Sequence, residues 1–227
     1  MNHPIVDSSD GVTLVGGGPV SPALMRLALA RAPRIVGADG GADRILALGH
    51  MPEAVVGDFD SISSAARARL AGKLFPVAEQ ATTDFDKALR SIRAPFVLAL
   101  GFAGARMDHG LAVLTALAAH PDRPCLVLGP QDVVFLCPPE MRLRMRRGDR
   151  LSLWPLAAVT GRSTGLEWPI DGINFAPDGM IGTSNRVTAP DVLLKMDAPG
   201  MLAILPRGRL DQAITALRSA PRWPQRR

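Results

Sequence analysis

Ala54-Val55-Val56-Gly57-Asp58-Phe59-Asp60-Ser61 sets the architecture expected of this chain. Ala54 to Val56 form a short apolar run of the kind that fills a buried strand, and two acidic side chains follow at alternate positions beyond its carboxyl end. In an open α/β sheet the ligand crevice lies outside the carboxyl ends of the strands, so carboxylates delivered to that edge point to a site. Two carboxylates within ~4 Å repel by roughly 4 kcal/mol at an effective dielectric of about 20, which favours a shared proton or a bound cation. A hard, oxygen-seeking ion such as Mg²⁺ suits them best. The competing reading is structural: Asp58 and Asp60 cap the helix that begins near Ser63 and close an Asx-turn.

Outward from this stretch, the chain repeats one plan. Val12 to Val15 reads as a strand running into Gly16-Gly17-Gly18-Pro19, after which Pro22 to Arg31 has helical spacing with Pro at an early position. Gly17 and Gly18 would let backbone approach a phosphate or nucleoside, but the run matches neither a Walker A sequence nor a dinucleotide fingerprint, and a tight turn explains it equally. Arg34 to Ala38 gives a second strand, leading into Asp39-Gly40-Gly41-Ala42 and a helix from Asp43 to Leu48 that ends at Gly49. Asp39 stands at a strand terminus, placed to accept a ribose hydrogen bond, to hold a ligand amine, or simply to cap the helix.

Ser64 to Ala71 reads as a helix and Lys73 to Val77 as a strand. Thr82-Thr83-Asp84-Phe85-Asp86-Lys87 then opens a helix with a threonine cap and acids in its first turn. Asp84 and Lys87, three apart, share a face; they make either a surface ion pair or a ligand and a phosphate-binding cation side by side. Pro95 to Leu100 is an apolar strand ending in Gly101-Phe102-Ala103-Gly104-Ala105-Arg106-Met107-Asp108-His109. Arg106 suits a bidentate grip on phosphate, Asp108 could orient it or reach a metal, and His109 begins a helix over Gly110 to Ala119, where a lone histidine also serves as cap or packing. Each feature has a structural explanation by itself. Successive junctions on one sheet edge all carrying acids, cations or glycines do not.

The 227 residues allow one large domain or two smaller ones, and 47% hydrophobic with 21% charged residues is the composition of an ordinary globular protein. No apolar stretch approaches the ~18 residues of a spanning helix, and Met1-Asn2-His3-Pro4-Ile5 lacks the pattern of a secretory signal, so no membrane association and a cytoplasmic address are expected. Cys125 and Cys137 show no metal spacing and read as free buried thiols. The net charge of +5 and pI near 10.2 invite a nucleic-acid reading. However, Arg142, Arg144 and Arg146 alternate with Leu143 and Met145 as on a half-exposed strand, and no nucleic-acid motif accompanies them.

Asp39-Gly40-Gly41-Ala42, Gly57-Asp58-Phe59-Asp60-Ser61, Thr83-Asp84 with Lys87-Ala88-Leu89, and Gly104 through Arg106 to Asp108-His109 occur in the order seen in thiamine pyrophosphokinases, and the chain resembles a bacterial member of that family. Gly165-Leu166-Glu167-Trp168-Pro169 and Thr183-Ser184-Asn185 are similar to its C-terminal domain. One departure is Ala105, where the family usually has a second glycine. The resemblance implies an α/β fold: an N-terminal Rossmann-like parallel-sheet nucleotide domain, residues 1–137, followed by a smaller all-β sandwich domain, residues 138–227. It further implies a homodimer with the thiamine site at the subunit interface, Mg²⁺ as cofactor and ATP as co-substrate. The division has independent support, since after Val133-Val134-Phe135 helical spacing gives way to short strand-like runs that reach Met201 to Leu205, with a boundary near Cys137-Pro138-Pro139.

The reaction implied is transfer of pyrophosphate from ATP to the thiamine hydroxyl, giving thiamine diphosphate and AMP. Asp58, Asp60 and Asp84 are assigned to the metal, with Asp108 a further candidate, and Lys87 and Arg106 to phosphate oxygens. Gly17, Gly18, Asp39, Gly40, Gly41, Lys87, Arg106 and His109 are expected around ATP. Trp168, Ser184 and Asn185 are expected around thiamine, although Trp168 read by itself is a core aromatic. A Mg-dependent nucleotide hydrolase and a non-catalytic thiamine- or nucleotide-binding regulator are the alternatives.

Overall fold

A computed structural model describes residues 4–104 and 106–225. Ala105 and the tail residues Arg226 and Arg227 lie outside the described residues. The chain divides into two compact units, Met1–Ala116 with Val127–Gly129, and Leu117–Leu126 with Pro130–Arg227.

The first unit alternates strands and helices: β1 (Val6–Asp7), β2 (Val12–Val15), α1 (Pro22–Leu29), β3 (Arg34–Ala38), α2 (Gly41–Ala47), β4 (Ala54–Gly57), α3 (Ser64–Arg69), β5 (Leu74–Pro76), α4 (Asp84–Arg90), β6 (Ile92–Arg93), β7 (Val97–Leu100) and α5 (Met107–Ala119), followed by β8 (Cys125–Leu128). The cut between the units falls within α5 and β8. Five strands are parallel in the order β7-β2-β3-β4-β5. The runs over β2, β4 and β7 are buried at every residue, as strands covered on both faces must be.

Side-chain oxygens start the helices: Ser21 accepts from Leu24 N, Ser63 from Ala66 N, and Thr83 from Asp86 N, each satisfying one of the amides that a helix N-terminus leaves free. One helix begins earlier than expected. α5 opens at Met107, which puts His109 inside its first turn instead of at its start. The short pairing of β1 with β6 was not anticipated; two residues on each strand carry no periodic signal.

The strand order makes the site. From β2 the chain steps outward through β3, β4 and β5, then returns to lay β7 on the other side of β2. The connections therefore reverse between β2 and β7, and a crevice opens outside the carboxyl ends of those strands. Gly16 N donates to Leu100 O at 2.8 Å and Gly18 N to Gly101 O at 3.0 Å, so the two glycine-bearing loops run against each other there. A Cβ at Gly18 would lie 2.5 Å from Gly101 O. Gly41 is tighter still: at the first turn of α2 its Cβ would meet Val15 O at 1.9 Å.

The second unit contains β9 (Asp132–Leu136), β10 (Glu140–Arg144), β11 (Arg150–Pro155), β12 (Gly161–Thr164), β13 (Gly182–Arg186), β14 (Asp191–Met196) and β15 (Met201–Pro206), then a 3₁₀ turn (Arg207–Arg209) and α6 (Leu210–Ser219). Antiparallel pairing gives the orders β13-β11-β15-β9 and β10-β14-β12. On β10, Met141 and Leu143 are buried while Arg142 and Arg144 are exposed, the alternation read in the sequence. Cys125 and Cys137 are free and buried.

An all-β description of this unit needs correction, because α6 belongs to it. Leu210, Ala213, Ile214 and Leu217 form its buried stripe, and α6 packs on β10. Beyond it, Trp223 Nε1 donates to Cys137 O at 2.8 Å. Arg209 locks the approach to α6 by a two-pronged pair with Asp149, Nε to Oδ2 at 2.6 Å and Nη2 to Oδ1 at 2.9 Å. Burial pushes the Asp149 carboxyl up, but the Arg209 hydrogen bonds and the Arg146 N–H outweigh it and hold the group below its usual range.

Gly41→Ala is expected to lose about 3 kcal/mol or more of stability, because backbone carbonyl, not a yielding side chain, occupies the space; an unchanged urea midpoint would refute this. Arg209→Met should cost roughly 2–4 kcal/mol at neutral pH by leaving Asp149 without its counter-charge. Because the folded-state pKa of Asp149 is depressed, that stabilisation is complete above the ordinary aspartate range and disappears as pH falls through the depressed value. Urea denaturation of both proteins should thus show a gap that narrows below pH ~4, and a gap independent of pH would count against the pair.

Candidate active site

A cavity of about 630 Å³ opens in the first unit at the carboxyl ends of the parallel strands, within the ~300–1,000 Å³ range of small-molecule pockets. Gly17 and Gly18 after β2, Asp39 and Gly40 after β3, Asp58 after β4, Asp84 and Lys87 on α4, and Arg106 and His109 at the start of α5 all line it. Five separate junctions thus meet in one space, as their spacing implied. Gly41 is not among the lining residues; its contact is the packing against Val15 described above. Asp60 and Asp108 are also outside the lining, although each contacts its neighbourhood.

Lys87 is the centre of the charge arrangement. It is 1% exposed, and its ammonium donates to Asp58 Oδ2 at 2.9 Å and to Asp84 Oδ1 at 3.2 Å. Burial alone would lower its pKa, but the hydrogen bonds and charges of Asp58 and Asp84 reverse the direction and leave it raised. Asp58 moves the other way: the Lys87 hydrogen bond holds its carboxyl below the usual range against some desolvation. The ion pair expected from the i, i+3 spacing is therefore present, though buried and shared with a carboxylate 29 residues away in sequence.

The loop from Gly57 to Ser63 is pinned from three sides. Ser61 N donates to Asp39 Oδ2 at 3.2 Å, Ser63 N donates to Asp43 Oδ2 at 2.9 Å with the Ser63 hydroxyl also on Asp43, and Arg67 Nη2 donates to Phe59 O at 2.6 Å. Phe59 adopts φ 66° with its ring buried among Ala42, Val55, Ile62, Ala66 and Leu70. Left-handed backbone is unusual for such a residue and persists only where surroundings enforce it. The ring anchors the loop in the core, and of the two acids flanking it Asp58 lines the cavity. Ser61 Oγ donates to Asp60 Oδ1 at 2.7 Å.

One oxygen from each of Asp39, Asp58 and Asp60 lies within 4.8 Å of the others. Unit charges at that spacing repel by about 3 kcal/mol per pair at an effective dielectric of about 20, before solvent screening. Asp39 is buried, and its carboxyl is pushed up first by desolvation and then by the charge of Asp84, with hydrogen bonds from Ser61 and Gly40 opposing. A donor set made only of carboxylate oxygens, one of them out of water, fits a hard divalent cation such as Mg²⁺. Asp84, expected in this set, is joined to Asp58 through Lys87 instead of directly.

Arg106 is gripped by Asp108, Nε to Oδ1 at 3.2 Å and Nη2 to Oδ2 at 2.6 Å, with both side chains largely exposed. The Arg106 hydrogen bonds bring the Asp108 carboxyl down to about 2. Asp108 thus orients Arg106, one of the two roles considered for it. Gln80 reaches Asp58 Oδ2 at 3.4 Å, and Ser61, Thr82 and Phe102 line the cavity. None of these four had been singled out for binding: Gln80 lies in a connection without periodic pattern, and Thr82 had been read only as part of a cap.

In the second unit, Trp168 is 53% exposed and is no core aromatic. Arg186 sits 5.9 Å from its ring centroid. Asn185 is buried and committed to backbone, donating to Trp168 O at 2.6 Å and accepting from Trp168 N and Arg186 N. It therefore holds the Trp168 loop in place. Ser184 is exposed at φ 60°, its N–H on Ser152 Oγ at 3.0 Å.

Residues 25–127 match the family model for the thiamin pyrophosphokinase catalytic domain. Thiamine pyrophosphokinase 1 of Arabidopsis thaliana is 28% identical over 196 residues, covering 71% of this chain and 73% of that protein. Thiamin pyrophosphokinase 1 of Caenorhabditis elegans is 25% identical over 189 residues, covering 74% and 77%. Among solved structures, a protein from Lactobacillus plantarum superposes with TM-score 0.71 at 27% identity over 87% of this chain and 98% of that one. Thiamin pyrophosphokinase from Candida albicans superposes with TM-score 0.73 at 16% identity over 86% and 90%, a likeness of fold. The stretch matched by the family model contains every cavity junction from Asp39 to His109, so the likeness to the thiamin pyrophosphokinase catalytic domain falls on the residues that form the cavity.

Proposed function

We propose that the protein is an ATP-dependent thiamine diphosphokinase, transferring pyrophosphate from ATP to the hydroxyl of thiamine to give thiamine diphosphate and AMP. The observation that carries this reading is the convergence, in one cavity at a sheet reversal, of the Lys87-bridged pair Asp58 and Asp84 with Arg106 and His109. A polyphosphate needs fixed positive charge and a metal-binding carboxylate set close together, and this cavity offers both.

We read the first unit as a Rossmann-like nucleotide domain, with residues 1–137 catalytic and 138–227 receiving thiamine. Asp58, Asp60 and Asp84 hold Mg²⁺, which when bound neutralises and orients phosphate oxygens. Gly17, Gly18 and Gly40 offer backbone to ATP without side-chain obstruction. Arg106 turns its guanidinium from Asp108 to phosphate, and Lys87 keeps Asp58 and Asp84 in place while adding positive charge to the wall. The thiamine oxygen attacks the β-phosphorus, forming one P–O bond as the bond to the α-phosphate breaks and AMP leaves. The hydroxyl proton passes to Asp84, Asp60 or a phosphate oxygen.

Trp168 offers an exposed aromatic face to a cationic ring, beside the exposed Ser184, and Asn185 supports it from beneath. We place this face at the interface of a homodimer working in the cytoplasm. Among the described residues no helix is long and apolar enough to cross a membrane.

The test is product analysis with purified protein, Mg²⁺-ATP and thiamine, each omitted in turn. AMP and thiamine diphosphate should form only with all components present, and Asp60→Asn should lower turnover by roughly 10²–10³-fold with an unchanged far-UV spectrum. Phosphate release that ignores thiamine would identify a nucleotide hydrolase, and saturable binding without turnover a regulator.

A further inference from the structure

Lys87 and Arg106 both line the cavity, and they are held in opposite ways. Lys87 is buried between Asp58 and Asp84, so its charge is fixed in place. Arg106 is paired with Asp108 in the open, with 64% and 65% of the two side chains exposed. The contact is two-pronged, Nε to Oδ1 and Nη2 to Oδ2, which is how a guanidinium grips a phosphate. Arg106 lines the cavity and Asp108 does not, so this edge of the guanidinium is spent on a group outside the lining. An ion pair this open adds little to stability, and its members are only two residues apart, so the fold does not depend on it. The Asp108 carboxyl stands in the first turn of α5, where an anion is favoured; Arg106, and then the His109 N–H, keep it ionised.

From this we infer that Asp108 is a built-in competitor for Arg106: its carboxylate occupies the guanidinium edge that a phosphate takes, yields it when nucleotide enters, and reclaims it when product leaves. The inference rests on the proposed nucleotide reading of the cavity and adds a residue that acts through Arg106 without touching substrate. A triphosphate carries more charge than one carboxylate and wins the exchange, but binds less tightly than it would to an uncommitted arginine. Lys87 cannot play this part, because its partners are themselves cavity acids and an unpaired ammonium in its buried position is strongly disfavoured. Asp108 is thus a positioning residue that weakens nucleotide binding and speeds release.

The test measures binding of the α,β-methylene analogue of ATP with Mg²⁺ to the full-length protein by isothermal titration calorimetry, without thiamine. Asp108→Asn and Asp108→Ala should each tighten Kd by about threefold to tenfold, with unchanged far-UV spectra. A carboxylate that serves to aim Arg106 at phosphate predicts the reverse, and weaker or unchanged binding in both variants overturns the inference. In an Arg106→Gln background, Asp108→Asn should have no effect, since nothing is left to compete for. Equal tightening there would make Asp108 a general negative charge near the mouth and would also overturn it. In turnover with thiamine, Asp108→Asn should lower KM for ATP and kcat together, which a loss of structure does not do. Failure of both Asp108 variants to fold would show the pair to be structural and end the proposal. Tighter binding by the variants of a protein that makes no thiamine diphosphate would leave the inference standing and sink the proposed reaction. If the unsubstituted protein does not bind the analogue, the nucleotide cavity and the inference fall together.

Discussion

Between Asp58 and Asp84 sits an ammonium that water hardly reaches. Taking Lys87 out of water carries a penalty of several kcal/mol, which only well-placed opposite charges can offset. The two contacts, at 2.9 and 3.2 Å, provide that offset and in return fix both carboxylates. They also tie the loop after β4 to the first turn of α4, two elements distant in sequence that together form one wall of the cavity. The raised pKa of Lys87 keeps the group charged across the neutral range, so the clamp does not open on ordinary changes of pH.

Acids near the cavity divide into those that build it and those that face it. Asp43 belongs to the first kind, holding Ser63 by backbone and hydroxyl and so joining α2 to the cap of α3. Asp108 belongs there too, keeping Arg106 in a defined posture at the mouth. Asp58 does both, with one oxygen committed to Lys87 and Gln80 and the carboxylate still lining the open space. Local sequence does not separate these duties, since every one of these acids follows a strand or begins a helix.

Much of the first unit was legible because its strands are short, apolar and followed by glycine or acid. β2 and β3 fall on Val12–Val15 and Arg34–Ala38, the bounds read from the sequence. The shared cavity was legible for the same reason: parallel strands present their ends to one edge. The grouping of Asp39 with Asp58 and Asp60 was not, because it depends on β3 lying beside β4, a neighbour relation that spacing along the chain does not contain. Gly41 looked like part of a binding run, but its requirement comes from the carbonyl of Val15 on an adjacent strand. Helix α6 is a different case. Its apolar positions 210, 213, 214 and 217 follow helical spacing, and the surrounding strand-like runs obscured a signal that was present.

Phe59 links the hydrophobic interior of the first unit to its chemistry through a single residue. Its backbone is twisted into the left-handed region and its ring shares a cluster with Ala42, Val55, Ile62, Ala66 and Leu70, while its immediate neighbours are the two carboxylates of the acidic loop. Anyone engineering heat tolerance into this protein by enlarging side chains in that cluster would be re-aiming Asp58 and Asp60 at the same time. Gains in thermal resistance are safer sought in the second unit, on surfaces such as the solvent face of β10.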